Sequence, residues 1–226
     1  MTVMQASWSS PRSAGTTAAP PLLVLLHGYG ADENDLMDLA GELPPEFAVA
    51  SVRASHRAGP GFAWFPLAVT QDGSGGMNLG FEPAEVQAAT ADLSAWLDTV
   101  QQSYSSVTLL GFSQGMTVAS SLARHRPDDF SAVVGLSGFV LDTKGEQELF
   151  RDFFHDAELA AQKMPFFWGR DQADPVIPQP AVEFSNEWLN GHTVLTKVLY
   201  ADMWHGICAA EVKHVSEFLR ATVLSA

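Results

Sequence analysis

Short runs of apolar residues alternate along this sequence with longer stretches of helical periodicity. Most of the short runs are apolar at every position rather than at every second one, and they cover residues 22–26, 47–52, 107–110, 132–136, 165–168 and 194–200. A strand that is apolar on both faces is buried on both faces, which is typical of parallel sheets. The alternation therefore predicts an open, mostly parallel β-sheet.

The longer stretches between these runs have the periodicity of helices. Residues 85–102 place Val86, Leu93 and Leu97 at helical spacing, and residues 114–125 and 209–223 repeat the pattern. Strands that alternate with helices of this length predict βαβ units. We therefore expect an α/β fold with helices on both faces of the sheet.

Two segments do not follow the alternation. Residues 9–21 are rich in Ser, Thr, Ala, Gly and Pro, which favours irregular backbone. We predict an N-terminal arm or irregular segment over residues 1–20 and a single domain over residues 21–226.

Residues 59–80 are rich in glycine and include Trp64 and Phe65. This pattern predicts a long loop over the carboxyl edge of the sheet, where ligands bind in such folds.

Composition restricts the partners and the compartment. The chain has 12 Lys and Arg against 26 Asp and Glu, a net charge of −14, which disfavours nucleic acids and anionic membranes as partners. It has no apolar run of the ~20 residues needed to cross a bilayer, so we expect a soluble protein. The only cysteine, Cys208, lacks the partners of a metal site, and the N-terminus does not resemble a secretory signal. These features predict a cytoplasmic protein without a metal.

The segment Gly-Phe-Ser-Gln-Gly at 111–115 lies between a predicted strand and a predicted helix. In a nucleophile elbow, a serine at this junction is exposed on a sharp turn, and glycines at Gly111 and Gly115 relieve steric conflict with nearby backbone. The helix N-terminus also favours negative charge that develops beside the serine. Ser113 is therefore the candidate nucleophile.

A serine hydroxyl needs a general base, and in this arrangement the order along the chain is Ser, acid, His. His125 ends the helix that Ser113 begins, roughly 15 Å away at ~1.5 Å per residue, and is excluded by distance. His155 and His192 precede strands, and His214 lies inside the last helix. His205 follows the last strand at the carboxyl edge and is the predicted base.

The loop after the strand at 165–168 offers two carboxylates for the acid. Asp174 begins Asp-Pro-Val-Ile-Pro at 174–178, where the prolines stiffen the backbone and would direct the carboxylate toward His205. Asp171 is the alternative. Asp202 is less suitable because it is too close to His205 in sequence. The sequence favours Asp174 and leaves Asp171 open.

The oxyanion of a tetrahedral intermediate requires preorganised N–H donors. One is expected to be the backbone N–H of Gln114, directly after the nucleophile. The other is expected from the loop after the first core strand, His27-Gly28-Tyr29-Gly30. Within this loop we predict that the backbone N–H of Tyr29 is the second donor. His27 is expected to orient this loop rather than to act as a base.

In their order and spacing, these motifs resemble the bacterial phospholipase/carboxylesterase family, which includes the acyl-protein thioesterases. The motifs are Leu-His-Gly-Tyr-Gly-Ala-Asp at 26–32, Gly-Phe-Ser-Gln-Gly at 111–115, Asp-Pro-Val-Ile-Pro at 174–178 and Trp-His-Gly at 204–206. The resemblance spans residues 20–222. It implies an α/β-hydrolase fold without a large separate cap domain, with Ser113, Asp174 and His205 as the triad and the amides of Tyr29 and Gln114 as the oxyanion hole.

The resemblance also implies a function. Family members hydrolyse carboxylic esters of short to medium acyl chains, need no cofactor, and often form homodimers. We therefore expect a serine carboxylesterase, with thioesterase or lysophospholipase action on lipid-like substrates as the alternative within hydrolases. A non-catalytic binder of small molecules is the alternative from another class, and the intact triad disfavours it.

Several residues are candidates for the substrate pocket. Trp64 and Phe65 match an aromatic segment near the active site of the family, although a core-packing role fits them equally well. Phe139 follows the strand at 132–136. Met203 and Trp204 precede the predicted base at positions where the family has small residues, so their bulk is expected to narrow the acyl pocket.

Overall fold

Five of the six apolar runs form the central strands of a seven-stranded sheet in the computed structural model, which describes residues 4–12, 19–71 and 77–225. The sixth, at 194–200, forms an edge strand and is mostly exposed or half-buried, so it is not buried on both faces as the sequence predicted. The described strands are β1 Ala6–Ser9, β2 Leu22–Leu26, β3 Ala48–Val52, β4 His56–Ala58, β5 Gly61–Ala63, β6 Ala68–Gln71, β7 Met77–Gly80, β8 Val107–Phe112, β9 Ala132–Leu136, β10 Pro165–Asp171 and β11 Val194–Tyr200. The main sheet has the order β1-β3-β2-β8-β9-β10-β11. All neighbours in it are parallel except β1 and β3.

Helices cover both faces of this sheet, as the sequence predicts. They are α1 Pro83–Asp98, α2 Gln114–His125, α3 Gln147–Phe150, α4 Asp156–Gln162, α5 Gln179–His192 and α6 Ala209–Leu219, and a π-helical segment continues α6 over Arg220–Leu224. Val86, Leu122 and Leu189, from α1, α2 and α5, pack into one hydrophobic cluster, and Val215 of α6 packs into the other. The parallel α/β architecture is confirmed. None of the described helices has the length and apolar character required to span a membrane.

The strand order places a topological switch point beside the predicted nucleophile. From β2 the chain moves to β3 on one side and then returns to place β8 on the other side, with Leu26 of β2 opposite Gly111 of β8. Ligands of open α/β sheets bind outside the carboxyl ends of the strands at such a point. The loops after β2 and β8 therefore begin side by side at the site that the topology favours.

The N-terminal segment contains a strand where the sequence predicted an arm or irregular structure. Strand β1 pairs antiparallel with β3, with Ala6 opposite Val52. The side chain of Trp8 packs against Trp96 and Tyr104, with ring centroids 6.1 and 6.5 Å apart. A short edge strand with partly exposed serines lacks the continuous apolar signal of the central strands, and this explains the difference. Residues 13–18 of the predicted irregular segment lie outside the described residues.

The glycine-rich segment at 59–80 also differs from the predicted loop, because it contains two antiparallel strand pairs. Strands β4 and β5 join through Gly59, whose φ of +59° is readily accessible only to glycine. A side chain at Gly61 of β5 would lie 2.0 Å from the carbonyl oxygen of Gly30, so β5 packs directly on the loop after β2. Strands β6 and β7 form the second pair, and residues 72–76 between them lie outside the described residues.

Candidate active site

Ser113 occupies the turn between β8 and α2 with a strained backbone. Its φ of +53° and ψ of −117° lie in a region that non-glycine residues rarely adopt. The backbone N–H of Ser113 donates to the carbonyl of Leu136 at the end of the neighbouring strand, at 2.8 Å. The sheet therefore holds the serine in the conformation of a nucleophile elbow.

The two glycines of the motif allow this turn to close. A Cβ atom at Gly111 would lie 2.3 Å from the backbone of Gly115, and one at Gly115 would lie 2.0 Å from the carbonyl oxygen of Leu26. Real Cβ atoms do not approach backbone so closely. The elbow thus packs directly against the end of β2, from which the loop His27-Gly28-Tyr29-Gly30 continues.

A continuous chain of hydrogen bonds connects the serine to a histidine and a carboxylate. The Oγ of Ser113 lies 2.9 Å from Nε2 of His205, and Nδ1 of His205 lies 2.9 Å from Oδ2 of Asp174. Because a carboxylate only accepts hydrogen bonds, Nδ1 carries the proton and Nε2 is free to accept from the serine hydroxyl. The structure therefore brings together the three residues that the sequence selected.

Asp174 is held rigidly on the loop after β10. Its side chain is fully buried, and Oδ1 accepts the backbone N–H groups of Val176 at 2.8 Å and of Ile177 at 3.3 Å. The Asp-Pro-Val-Ile-Pro segment thus folds back onto its own first side chain. One carboxylate oxygen is used by this turn, and the other faces His205.

Asp171, the alternative acid, has a different position. It is the last residue of β10, and its carboxylate accepts the backbone N–H groups of Met203 at 2.5 Å and Trp204 at 2.7 Å. The N–H of Ala173 also donates to it, at 2.7 Å. These three backbone donors, Ala173 foremost, hold the pKa of Asp171 below its ordinary value. Asp171 therefore fixes the backbone that leads to His205, while Asp174 contacts the ring.

The turn before the histidine contains two residues with left-handed backbone. Asp202 and Trp204 have φ values of +58° and +60°. Asp202 is exposed in this turn. The hydrogen bonds that Met203 and Trp204 donate to Asp171 stabilise the turn just before His205. The backbone strain at Trp204 directs its side chain outward, where it is 68% exposed.

The loop after β2 is fixed by β5 on one side and by His27 on the other. The N–H of Gly30 donates to the carbonyl of Phe62, and the N–H of Phe62 donates to the carbonyl of Ala31, both at 2.8 Å. His27 is fully buried, with Nε2 accepting the N–H of Ala54 at 3.1 Å. Nδ1 therefore carries the proton and donates to the carbonyl of Gly28 at 2.7 Å. Burial lowers the pKa of His27, which keeps the ring neutral in this structural position.

Gln114 connects the elbow to the segment that follows β5. As the first residue of α2 it has a backbone N–H with no acceptor in the preceding helical turn. Its side-chain Oε1 accepts the N–H of Trp64, and its Nε2 donates to the carbonyl of Phe65, both at 2.8 Å. Trp64 in turn donates its indole N–H to the carbonyl of His27 at 2.9 Å. The side chain of Gln114 thus connects α2 to the backbone of residues 64 and 65, which we call the cavity floor.

A cavity of about 480 Å³ opens beside Ser113 and His205. Of the predicted substrate-binding residues, Phe65 and Phe139 line it. Trp64, Met203 and Trp204 are not among its described lining residues. The Trp64 indole is buried and donates to the carbonyl of His27, and Trp204 is exposed to solvent. Tyr29 and Gln114, the residues predicted to form the oxyanion hole, also line the cavity.

Sequence analysis did not find a large part of the cavity wall. One side is formed by Leu67, just before β6, by Val69 of β6 and by Leu79 of β7. Val176 and Ile177 contribute from the loop after β10. The apolar pair at 176–177 directly follows Asp174, and this proximity is a signal that could have identified it. The residues of β6 and β7 belong to the glycine-rich segment at 59–80, which the sequence predicts to lie over the ligand-binding edge, but the pattern did not indicate which of its side chains face the cavity.

Glu211 is a buried carboxyl group beneath the histidine loop. It lies in the first turn of α6, is fully buried, and neither of its oxygens has a hydrogen-bond partner among the described residues. A Cβ atom at Gly169 would lie 2.0 Å from its Oε1, so the carboxyl rests against β10 two residues before Asp171. Burial raises the pKa of Glu211 to about 8.

These features define the class of the protein. The parallel sheet with helices on both faces, the serine at a strand-to-helix turn and the acid and histidine on later carboxyl-edge loops are those of an α/β-hydrolase. A family model described as phospholipase/carboxylesterase matches residues 13–223, and the chain belongs to that family. It is a hydrolase of the esterase type. The family resemblance seen in the sequence is confirmed.

Solved structures share this fold. The chain is similar to a carboxylesterase from Bacillus cereus, with a TM-score of 0.75 and 21% identity over 97% of this chain and 94% of that one. It is similar to acyl-protein thioesterase 2 from Zea mays, with a TM-score of 0.76 and 20% identity over 96% and 98%. A carboxylesterase from Mesorhizobium loti gives 0.66 and 22% over 88% of each chain. No curated protein matches the sequence.

Within the described ranges 4–12, 19–71 and 77–225, no group of three or more His, Cys, Asp or Glu side chains is arranged to hold a metal ion. Ser113 and His205 line the cavity, together with the polar residues Tyr29, Asp35 and Gln114, and the buried carboxylate of Asp174 lies behind His205. This is a set of groups suited to acyl transfer.

Proposed function

We propose that the protein is a serine carboxylesterase that hydrolyses short to medium acyl esters through an acyl-enzyme intermediate. The observation that carries this proposal is the hydrogen-bonded chain Ser113–His205–Asp174, which ends at an apolar cavity. A serine hydroxyl is a weak nucleophile in isolation, and this arrangement supplies both the base and the group that orients it.

In the first half of the reaction, Nε2 of His205 takes the proton from Ser113 as Oγ attacks the ester carbonyl. The backbone amides of Gln114 and Tyr29 donate to the oxyanion that forms. Because they belong to a helix start and to a loop held by β5, they need little reorganisation as charge develops. Collapse of the intermediate breaks the bond to the alkoxide oxygen, which takes the proton from His205 and leaves as the alcohol.

In the second half, water attacks the acyl-Ser113 carbonyl, and His205 again serves as the base. The same two amides stabilise the second oxyanion, and the carboxylic acid leaves as the proton returns to Ser113. Asp174 remains ionised and stabilises the imidazolium in both halves. Its burial against the N–H groups of Val176 and Ile177 keeps the carboxylate in one orientation.

The cavity supports short to medium acyl groups as substrates. Its wall is aliphatic and aromatic, with Phe65, Leu79, Phe139 and Ile177 among the lining residues. Its volume of about 480 Å³ is in the lower part of the ~300–1,000 Å³ range of small-molecule pockets. The carboxylesterases among its structural neighbours are consistent with this substrate class.

Substitution of the nucleophile gives the most direct test. We expect purified protein to hydrolyse p-nitrophenyl esters and Ser113→Ala to reduce kcat by about 10⁶-fold, as loss of a triad serine does elsewhere. Ser103→Ala, at an exposed serine outside the cavity, is the control and should retain full activity.

Covalent labelling identifies the reactive atom independently. A fluorophosphonate probe should modify the wild-type protein and the Ser103→Ala control at Ser113, as located by peptide mass spectrometry, and should leave Ser113→Ala unlabelled. Hydrolysis that persists in Ser113→Ala, or labelling at another serine, would show that the proposed nucleophile is wrong.

A further inference from the structure

A second cleft lies at the edge of the main sheet, between β10, β11 and α5. Its volume is about 530 Å³, and its polar lining residues are Arg170, Gln172, Gln179, Glu183, Asn186 and Lys197. The described lining residues of this cleft are all different from those of the catalytic cavity. The esterase mechanism leaves this group of side chains without a role.

Two cations meet in this cleft because of the register of the strands. Trp168 of β10 lies opposite Lys197 of β11, and Arg170 follows Trp168 by two residues on the same face of the sheet. The guanidinium carbon of Arg170 lies 5.8 Å from the Trp168 ring centroid, and Nζ of Lys197 lies 4.9 Å from it. The two positive groups therefore flank a single buried indole.

Arg170 has no protein partner in the described part of the chain. It is only 6% exposed, yet its guanidinium donates no hydrogen bond to a described residue and forms no ion pair within that set. Burial lowers its pKa from the ordinary arginine value. A buried cation without a partner is costly, and buried arginines are normally paired. Its donors are left available to the cleft that it lines.

The carboxylates of Asp174 and Asp171 partly offset the lowering of the Arg170 pKa by burial, but neither forms an ion pair with it among the described residues. Asp171 is occupied by the backbone of the histidine loop, and Asp174 by His205 and its own turn. Glu183 accepts from the side chain of Gln179 at 3.0 Å and forms no ion pair with either cation among the described residues. Burial, followed by the charge of Arg170, lowers the pKa of Lys197. Two cations thus repel each other in a protein whose net charge is −14.

The donors in the cleft match a particular kind of ligand. Arginine offers a planar fork of N–H groups and lysine a compact ammonium, and together they suit a tetrahedral oxyanion with two charges. The side chains of Gln172 and Gln179 add amide donors at the same cleft, while Nζ of Lys197 is held by Oδ1 of Asn186 at 2.6 Å. A phosphate also offers more oxygen acceptors than a carboxylate to the donors of Arg170, Lys197 and the two glutamine amides.

We propose that the cleft between β10, β11 and α5 binds a phosphate group, either free or as the phosphomonoester of a small molecule. Arg170 and Lys197 contact the phosphate oxygens, and the neighbouring amides complete the site. This binding site is separate from the esterase cavity, and its occupancy does not depend on hydrolysis at Ser113.

Binding of inorganic phosphate to the full chain tests the proposal. Isothermal titration calorimetry at low ionic strength should show saturable binding at one site, with an affinity that falls as NaCl is added. Lys197→Gln and Arg170→Gln should each weaken the affinity by tenfold or more. Lys213→Gln removes the same charge from an exposed position on α6 and should leave the affinity unchanged. A parallel titration with glycerol phosphate distinguishes a site for free phosphate from one for a phosphomonoester.

The variants also separate a binding effect from misfolding. Lys197 is exposed, so Lys197→Gln is expected to keep the thermal stability of the wild type even if Arg170→Gln does not. Saturable binding that Lys197→Gln weakens and Lys213→Gln preserves supports the site. Absence of saturable binding in the wild type overturns the proposal, and so does equal weakening by Lys197→Gln and Lys213→Gln. Loss of esterase activity in Ser113→Ala would leave phosphate binding unchanged.

Discussion

The two sides of the catalytic cavity are built differently. On the catalytic side, Ser113, His205, Asp174 and Gln114 are each held by hydrogen bonds to buried groups. On the opposite side, the pair β6–β7 presents apolar side chains to the cavity. Strand β6 is exposed along its length, with Val69 45% exposed, and β7 is exposed at every second residue. Hydrogen bonds fix the positions of the polar groups on the catalytic side, whereas β6–β7 offers a substrate mainly apolar contact.

This difference assigns distinct tasks to the two sides. Substitutions on the catalytic side should change the rate of the chemical steps because they displace a group at the reaction centre or remove its charge. Substitutions in β6–β7 should change the binding of the acyl chain and little else, since nonpolar contact is not directional. The following predictions test this division.

After the nucleophile itself, the largest effect is expected at the acid. Asp174→Asn preserves shape but favours the wrong tautomer of His205, and loss of kcat by about 10⁴-fold follows from the same change in other triads. Asp171→Asn should reduce kcat by about tenfold, because the amide oxygen still accepts from the backbone of the histidine loop but without charge. Steady-state kinetics on a p-nitrophenyl ester give both values. The opposite ranking would assign the triad acid to Asp171.

Glu211 is an exception on the catalytic side, because it is a buried polar group without a partner. With a folded-state pKa of about 8 against an ordinary value of 4.5, the folded protein retains a proton that the unfolded chain loses. Its contribution to stability is complete below pH 4.5 and is lost as the pH rises through about 8. Between these values the wild type should lose up to about 1.4 kcal/mol of unfolding free energy per pH unit relative to Glu211→Gln.

Urea denaturation at several pH values between about 5 and 8 measures this difference. The control is Glu217→Gln, on the exposed side of the same helix, where the substitution should not alter the pH dependence. If the stability curves of the wild type and Glu211→Gln remain parallel over this range, the carboxyl is ionised in the folded protein. The catalytic side would then contain an additional buried charge.

The smallest effect is expected in β6–β7. Val69→Ala removes apolar contact from the cavity wall, so KM for an octanoyl ester should rise about threefold, or about 0.7 kcal/mol, while kcat and the kinetics of an acetyl ester should not change. Val194→Ala, at a valine of similar exposure on β11, is the matched control. A decrease in kcat in Val69→Ala would show that this side also takes part in positioning the reaction centre.

The sequence predicted the parts of the molecule that local chemistry determines. Each central strand is apolar on both faces, and the elbow at 111–115 requires glycine where backbone segments meet. The choice of His205 depended only on the order of elements and on the length of α2. For these features, short-range patterns contain most of the structural information.

Features that depend on distant contacts were not accessible from the pattern. Strand β1 exists because β3 offers it an edge, and the pairs β4–β5 and β6–β7 arise where the sequence indicates only turns. Trp64 and Phe65 are adjacent, yet one faces His27 and the other the cavity, because Gln114 fixes their backbone. Met203 and Trp204 donate hydrogen bonds from their backbone N–H groups to Asp171, and their side chains do not line the described cavity.

The two bonds from the Gln114 side chain have a consequence for altering substrate range. The residue whose amide is proposed to stabilise the oxyanion also holds the backbone of Trp64 and Phe65, so the cavity floor and the reaction centre cannot be redesigned independently. Changes at these two residues would therefore be transmitted to the reaction centre through Gln114. Variation in acyl preference, whether by natural divergence or in the laboratory, is therefore expected to accumulate in β6–β7 and to leave residues 64 and 65 untouched.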